Sequence, residues 1–403
     1  MKASFEAITG QPADERSAST VVRVLRTTAE LESIRGYWES WPGNRDSEMG
    51  SYQAFIRSNR STIRPHVVVV ERHGRPDAIF VGRIDRDPIH CRLGYLRVNL
   101  PAKVLVFVYG AFRGHSCSKN QELIVRSVWD SLARGEVDAA YMNFLRADSK
   151  LCQFARSVPG ALSHDYLCPT QRHFAARLPN SIGEFHQQLS PKVRKNQRWQ
   201  AKKLEELFKG DVRIRCFRDP SEVDELTCEA ERLASRSYQR GLGVGFFGTV
   251  SACEHLRLKA EKQWLRGYVL YLGGEPCAFW MGDVNQGTFG SDYLAFDPAY
   301  ARHSPGMYLI VRVIESFCDG NREGITAIDF GPGHAQYKET LSTEEWMETA
   351  VYMFAPTAKG VALNLARTVI GRLDRTAKSL LARAGLLQKV KKAWRVRTTA
   401  ESN

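Results

Sequence analysis

Three stretches of the sequence hold residue types and spacings able to manage charged groups. Residues 190–203, SPKVRKNQRWQAKK, carry six basic side chains and no acid. Ser190 followed by Pro191 marks a helix start. From there Arg194, Arg198 and Lys202 recur every four residues as one stripe, while Val193, Ala201, Leu204 and Phe208 make an apolar one. Such a basic stripe can clamp a phosphate-bearing molecule; its plainer reading is a solvated face. The second stretch, Arg302-His303-Ser304-Pro305-Gly306-Met307, opens a helical pattern. A helix N-terminus presents unpaired amides and the positive end of the dipole to an anion. Ser304 is suited to cap it, Pro305 to the first helical position, and Gly306 leaves the approach clear. Arg302 could pair with a phosphate. In the third stretch Asp329 closes a strand pattern, at the end where ligands gather in α/β sheets. It is a candidate base or acceptor-orienting carboxylate, or else a cap on the turn that follows. His334 could relay a proton and Lys338 neutralise an anionic substrate; both also fit a plain solvated surface.

Other chemistries find no foothold. Residues 239–248, QRGLGVGFFG, hold four glycines but follow a helical pattern rather than a strand, which fails the test for a dinucleotide turn. They read as a lid over an acceptor or as a flexible connector. No phosphate-binding loop of the GxxxxGK type, zinc-protease or GxSxG motif occurs. Nine cysteines are scattered without a CxxC pair, so neither a disulfide framework nor a metal site is expected. Of the net charge of +13, +9 falls in residues 357–403, leaving +4 for the rest. The basic balance is thus a property of the tail, and no DNA partner is expected. The sequence has no run of 18 apolar residues and no secretory leader, so a cytoplasmic protein is expected, with residues 1–20 a disordered lead-in.

The elements that would position these residues occur twice. Gly74, Pro76, Ala78 and Gly82 are repeated as Gly274, Pro276, Ala278 and Gly282, at an offset of 200. Leu123-Ile124-Val125-Arg126 returns as Leu309-Ile310-Val311-Arg312 at an offset of 186, and there Asn143-Phe144 falls on Asp329-Phe330. Each copy reads as a hairpin, a strand, a helix, a strand and a helix, the first with 14 more residues between hairpin and helix. The fold class is therefore α/β with a mixed sheet, built from two tandem units at 21–180 and 181–356. In the second copy strands are expected at 267–272, 277–284, 287–296 and 325–330, a helix at 306–320 and a closing strand at 348–354. A helical segment near 181–209, a strand at 212–217 and a long helix near 219–240 lie between the copies. Asn143 cannot serve as a base, so the second unit is the better candidate for catalysis. The tail 359–397 reads as a basic amphipathic helix, or a pair broken near Gly385. Leu365, Val369, Leu373, Ala377, Leu380, Ala384 and Leu387 fall near one face. It can lie on an anionic membrane surface or dock on the body or a partner.

Four segments together carry a family resemblance: LSPKVRKNQRWQAKKLEE (189–206), GGEPCAFWMG (273–282), YLAFDPAYARHSPG (293–306) and AIDFGPGHAQYKE (327–339). Over about residues 20–356 the chain resembles the bacterial CelD/BioF-type acetyltransferases of the GNAT superfamily, related to Fem-type peptidyltransferases. The resemblance implies two tandem GNAT-like units and acyl transfer from acyl-CoA, such as acetyl-CoA, to an envelope or exopolysaccharide-related acceptor. It implies that Arg302, His303, Ser304, Pro305, Gly306 and Met307 hold the donor diphosphate, although Gly306 is the one glycine where the superfamily usually has two. Tyr337 would protonate the departing thiolate and Asp329 assist the acceptor. Arg194, Arg198, Lys202 and Lys338 would meet the substrate; no metal is implied. Two alternatives stay open: Fem-like aminoacyl transfer from charged tRNA, which the +4 outside the tail disfavours, and a non-catalytic binding component of polysaccharide assembly.

Overall fold

The computed structural model describes residues 20–94, 96–241, 244–319 and 323–383. The expected lead-in lies outside them apart from Thr20, as do Ala384, Gly385 and Leu387 of the tail pattern. The first half of the chain runs β1 (Thr20–Leu25), α1 (Thr28–Glu32), α2 (Arg35–Ser40), α3 (Met49–Ser58), β2 (Thr62–Arg72), β3 (Arg75–Arg86), β4 (Ile89–Leu93) and β5 (Leu96–Leu100). It continues through β6 (Lys103–Gly114), α4 (Ser118–Ala133), β7 (Ala139–Arg146), α5 (Lys150–Ser157) and β8 (Thr170–Arg177). Next come α6 (Ile182–Gln188), α7 (Pro191–Leu207), β9 (Val212–Phe217), α8 (Val223–Arg236), α9 (Tyr238–Gly241) and α10 (Val250–Glu261). The second half closes with β10 (Leu265–Leu272), β11 (Glu275–Asn285), β12 (Thr288–Phe296), α11 (Pro305–Cys318), β13 (Ala327–Pro332), α12 (Gln336–Leu341), β14 (Glu344–Phe354) and α13 (Ala358–Arg383).

Twelve of the described strands form one sheet, in the order β1-β2-β3-β6-β7-β14-β8-β13-β12-β11-β10-β9. Read from either edge the plan is the same, two lobes placed end to end. The repeated sequence explains why. Val67–Val70 is a β-branched run buried on both sides, Val68 and Val70 in one core and Val67 and Val69 in another. Leu270 and Leu272 against Val269 and Tyr271 divide in the same way in β10. Both hairpins shift register at a matching place, between Val70 and Glu71 and between Leu270 and Tyr271, again 200 residues apart, and the first shifts once more between Thr62 and Arg64. The shared glycine near the end of each hairpin has a steric reason: a Cβ on Gly282 would sit 2.0 Å from the Gly290 carbonyl oxygen, and one on Gly82 2.7 Å from the Phe107 ring. The extra residues of the first copy are the β4–β5 hairpin, which stands off the main sheet.

Several expectations are refined. The helical segment near 181–209 is two helices, because Pro191 has no N–H to continue α6 and the Ser190 hydroxyl caps α7 through Val193 N–H. The helix expected at 219–240 is likewise interrupted at Ser237, between α8 and α9. The last strand does not close its own lobe. β14 pairs antiparallel with β7 of the first lobe, and β8 pairs antiparallel with β13 of the second. The two exchanged strands pair with each other at the seam, Trp346 facing His173. Beside this seam β12 and β13 run parallel for three pairs, Thr288 with Ala327 to Gly290 with Asp329, and then part. β6 and β7 do the same after Val106 and Tyr141. The helices α6, α7 and α11 cover one face of the second lobe; α8 and α10 cover the other.

Candidate active site

A cleft of about 420 Å³ opens where the lobes meet. Asp329 stands on its floor, at the fork where β13 leaves β12. The alternation of β13 puts Ile328 and Phe330 into the core beneath α11 and turns Asp329 the other way. Its carboxylate accepts from Gly331 N–H at 2.7 Å and from the Tyr109 hydroxyl of the first lobe at 3.2 Å. His173 Nε2, on β8, lies 2.6 Å from the same carboxylate. The other ring nitrogen of His173 is 3.0 Å from Glu348 on β14, and Trp346 stacks on the imidazole at 4.3 Å. The indole N–H of Trp346 in turn donates to Glu348 at 2.9 Å. Three adjacent strands, two of them exchanged, thus assemble the row Glu348–His173–Asp329.

The electrostatics follow from burial. His173 is fully buried, which by itself favours a neutral ring, but hydrogen bonds and charge from Asp329 and Glu348 outweigh that and raise its pKa to about 9. The charged ring favoured by this environment hydrogen-bonds Asp329 through Nε2 and sits within ion-pair distance of Glu348 through Nδ1. Burial pushes Asp329 upward, and the hydrogen bond and charge of His173, with the Gly331 amide and Tyr109, bring it below its ordinary value. Asp329 therefore remains a carboxylate, the partly exposed end of a buried charge row.

The facing wall is a second ion cluster. Arg45, in a 3-10 turn (Arg45–Ser47) of the first lobe, pairs with Asp292 at 2.6 Å and also with Asp283. Lys259 of α10 lies 2.5 Å from Asp292 and 3.0 Å from Asp283. Burial disfavours charge on Asp292, yet Lys259 and Arg45 hold its pKa down to about 2. Beside them, burial together with Lys259 and Arg45 lowers the pKa of His255 to about 4. Asn285 Nδ2 donates to the Gly43 carbonyl at 3.1 Å, and Lys262 pairs with Glu48. The stretch from Gly43 to Glu48 is thereby fastened to the second lobe and shapes the cleft.

The other sequence candidates lie on the opposite face. α11 starts at Pro305 with a buried Gly306, where an added Cβ would be 3.4 Å from Phe296. Ser304 does not cap this helix as expected. It sits in the left-handed region at φ 50°, and its hydroxyl accepts from Gln200 Nε2 of α7 at 3.1 Å. The first amides of α11 receive no side-chain cap from it, which suits an anion seat. His303 is buried; Arg302 Nε is 2.9 Å from its Nε2, and burial, Arg302 and Lys203 lower its pKa. Met307 packs at the margin of the core. The basic helix α7 therefore overlies this turn, and none of Arg194, Arg198 and Lys202 is among the residues lining the cleft. Arg198 and Lys202 are exposed and Arg194 is half-buried. Tyr337 packs edge-on to Phe330 at 6.0 Å, on the α11 side of β13. Lys338 donates to the carbonyls of Gly331 and Pro332, at 3.2 and 2.9 Å, and so braces the turn after Asp329. His334 is exposed and 3.3 Å from Glu339.

Tyr109, His173, Glu348 and Arg45 are site residues that sequence patterns alone do not single out. A histidine inside the strand pattern His173-Phe174-Ala175-Ala176 is the one local sign of a buried polar group.

Residues 191–339 match the family model described as acetyltransferase (GNAT) domain. Among solved structures the chain is similar to FemX, at 10% identity over 80% of this chain and 95% of that one, with a TM-score of 0.51. It is also similar to the C-terminal domain of a putative lysylphosphatidylglycerol synthetase from Agrobacterium fabrum (12%, 82% and 92%, TM-score 0.47). A tandem GNAT protein from the clavulanic acid biosynthesis pathway matches at 11% identity over 84% and 100%, TM-score 0.45. Curated proteins give no match. The likeness to FemX is one of fold. The second half of this mixed α/β chain thus carries a match to a GNAT acetyltransferase domain, which supports an acyltransferase.

Proposed function

We propose that this GNAT-type chain moves an acyl group, in the simplest case acetyl from acetyl-CoA, to an amine or hydroxyl of an envelope or exopolysaccharide-related acceptor. One observation carries the reading: Asp329 stands at the fork of β12 and β13, facing the cleft, while the N-terminus of α11 lies on the other face. A donor seated on the amides near Gly306 and Met307, beside Arg302 and Lys203, would bring its thioester through the fork. An acceptor would enter from the cleft. Its nitrogen or oxygen attacks the carbonyl carbon and gives up its proton to Asp329, the C–S bond breaks, and the thiolate takes a proton from Tyr337, which solvent restores as Asp329 releases the other. A carboxylate kept ionised by His173 suits Asp329 to hold and orient the N–H or O–H that reacts. The segments that resemble CelD/BioF-type enzymes support an envelope-related acceptor.

An acetyl-CoA titration tests this. Saturable binding lost in Gly306→Trp is expected, with Tyr337→Phe keeping donor affinity while losing turnover. No binding by the wild type would favour the charged-tRNA or the non-catalytic reading, and unchanged turnover in Tyr337→Phe would remove that residue from the chemistry.

A further inference from the structure

Helix α13 packs Leu363 and Ile370 on the body and is also held there by polar groups. The side turned to the body carries polar anchors: Asn364 donates to the carbonyls of Leu162 and His164, each at 2.9 Å, and Arg367 pairs with Asp165 at 2.5 Å. Asn364, Arg367 and Thr368 are buried there beside Leu363. Farther along, Asp374 accepts from Gly94 N–H at 2.7 Å, and Gly371 admits Leu167, whose Cδ1 would lie 2.5 Å from an added Cβ. These contacts fix the rotation of the helix.

The outward side is apolar. Leu365 (64% exposed), Val369, Leu373 and Leu380 (60%) all face solvent. At 3.6 residues per turn they fall within an arc of about 80°. Leu162 (69%) and Tyr166, in the loop that α13 grips, are exposed as well. Arg372, Arg375 and Lys378 are exposed along the same helix, and residues 357–403 carry +9. No described helix is long and apolar enough to cross a membrane.

We infer that this face docks on an anionic lipid bilayer, with α13 lying along its surface. The occupant must take leucine side chains and neutralise the arginine, Arg372, that flanks them, which acyl chains beneath anionic headgroups do. A second copy would bring a second exposed Arg372 against the first, like charge against like. A nucleic acid would answer the charges and leave the leucines in water. The inference stands apart from the proposed acyl transfer and needs no acceptor to be known.

Sedimentation of the full chain with phosphatidylcholine vesicles, with and without phosphatidylglycerol, tests it. Binding about tenfold or more tighter to the anionic vesicles is expected, weakening as salt rises. The double variant Leu365→Glu/Leu373→Glu should lower that binding by about tenfold or more while keeping its thermal midpoint, since both side chains face outward. Arg372→Glu, which leaves the apolar row intact, should weaken binding to the anionic vesicles only. Absence of vesicle binding overturns the inference, as does equal binding by wild type and variants. A dimer that Leu373→Glu dissociates would assign the face to a second copy and overturn it too. Protection of a Leu373→Cys thiol from maleimide without vesicles would assign the face to the chain's own residues and likewise overturn the inference.

Discussion

The two lobes share strand order, hairpin register and crossover helix, yet they meet the cleft with different chemistry. Where the second lobe places Asp329, the first has Asn143, whose side-chain oxygen accepts from the adjoining Phe144 N–H at 3.0 Å. Phe144 takes φ 54°, which breaks the alternation of β7 and turns its ring into the cleft, edge-on to Tyr109 at 5.1 Å. The first lobe has become a wall: an aromatic pair, a phenol that steadies Asp329, and an arginine that closes the far side. The second lobe keeps the charged floor. One ancestral plan supports both roles because the sheet fixes where a residue stands, and the residue type decides what it does there.

That division can be broken by substitution. The largest effect is expected for Asp329→Asn, which should lower kcat by about 10²–10⁴ with donor affinity kept, by the usual weight of a positioned acid–base group. Asn143→Asp should leave kcat within about twofold. A comparable effect in both lobes would end the claim that they differ. Arg45→Met removes one partner from a buried cluster and leaves Asp283 and Asp292 with Lys259 alone. A loss of about 3–5 kcal/mol in denaturant unfolding is expected.

The pH dependence comes next. The pKa of His173 rises from 6.5 to about 9 on folding, so its contribution is complete below pH 6.5 and is lost as pH rises through 9. That rise corresponds to about 3 kcal/mol. Wild-type stability should fall across that window, and His173→Gln should flatten the fall. A profile indifferent to His173 would deny it the charged state. The smallest effect is expected for Tyr109→Phe, about 1 kcal/mol in kcat/KM from one lost hydrogen bond to a carboxylate. It should show as a shift in the acidic limb of the pH–rate profile, because Asp329 loses a group that stabilises its ionised form.

The frame is legible in the sequence because it is written twice. Glycines 74 and 274 and the LIVR segments give hairpins and crossover helices whose register recurs in the sheet. Asp329 is legible as a strand-end carboxylate. His173 and Glu348 are not, since their meaning depends on pairing between β8, β13 and β14 across about 150 or more positions, and no local pattern encodes which strand lies beside which. Arg45 is hidden for another reason. It sits in a short turn between helices, and its charge is explained only by Asp283 and Asp292 far along the chain. The αL backbone at Ser304 is equally invisible, because serine beside proline signals a cap, and here the hydroxyl is drawn to α7 instead.

Because each half lends its final strand to the other, synthesis cannot finish either one early. A nascent chain that has emerged through β8 has no β14 to pair with β7, and β8 itself waits for β13. Both lobes' parts of the sheet become whole only after Phe354 has left the ribosome. Any split of the gene between the halves would yield two fragments that must find each other before either can mature.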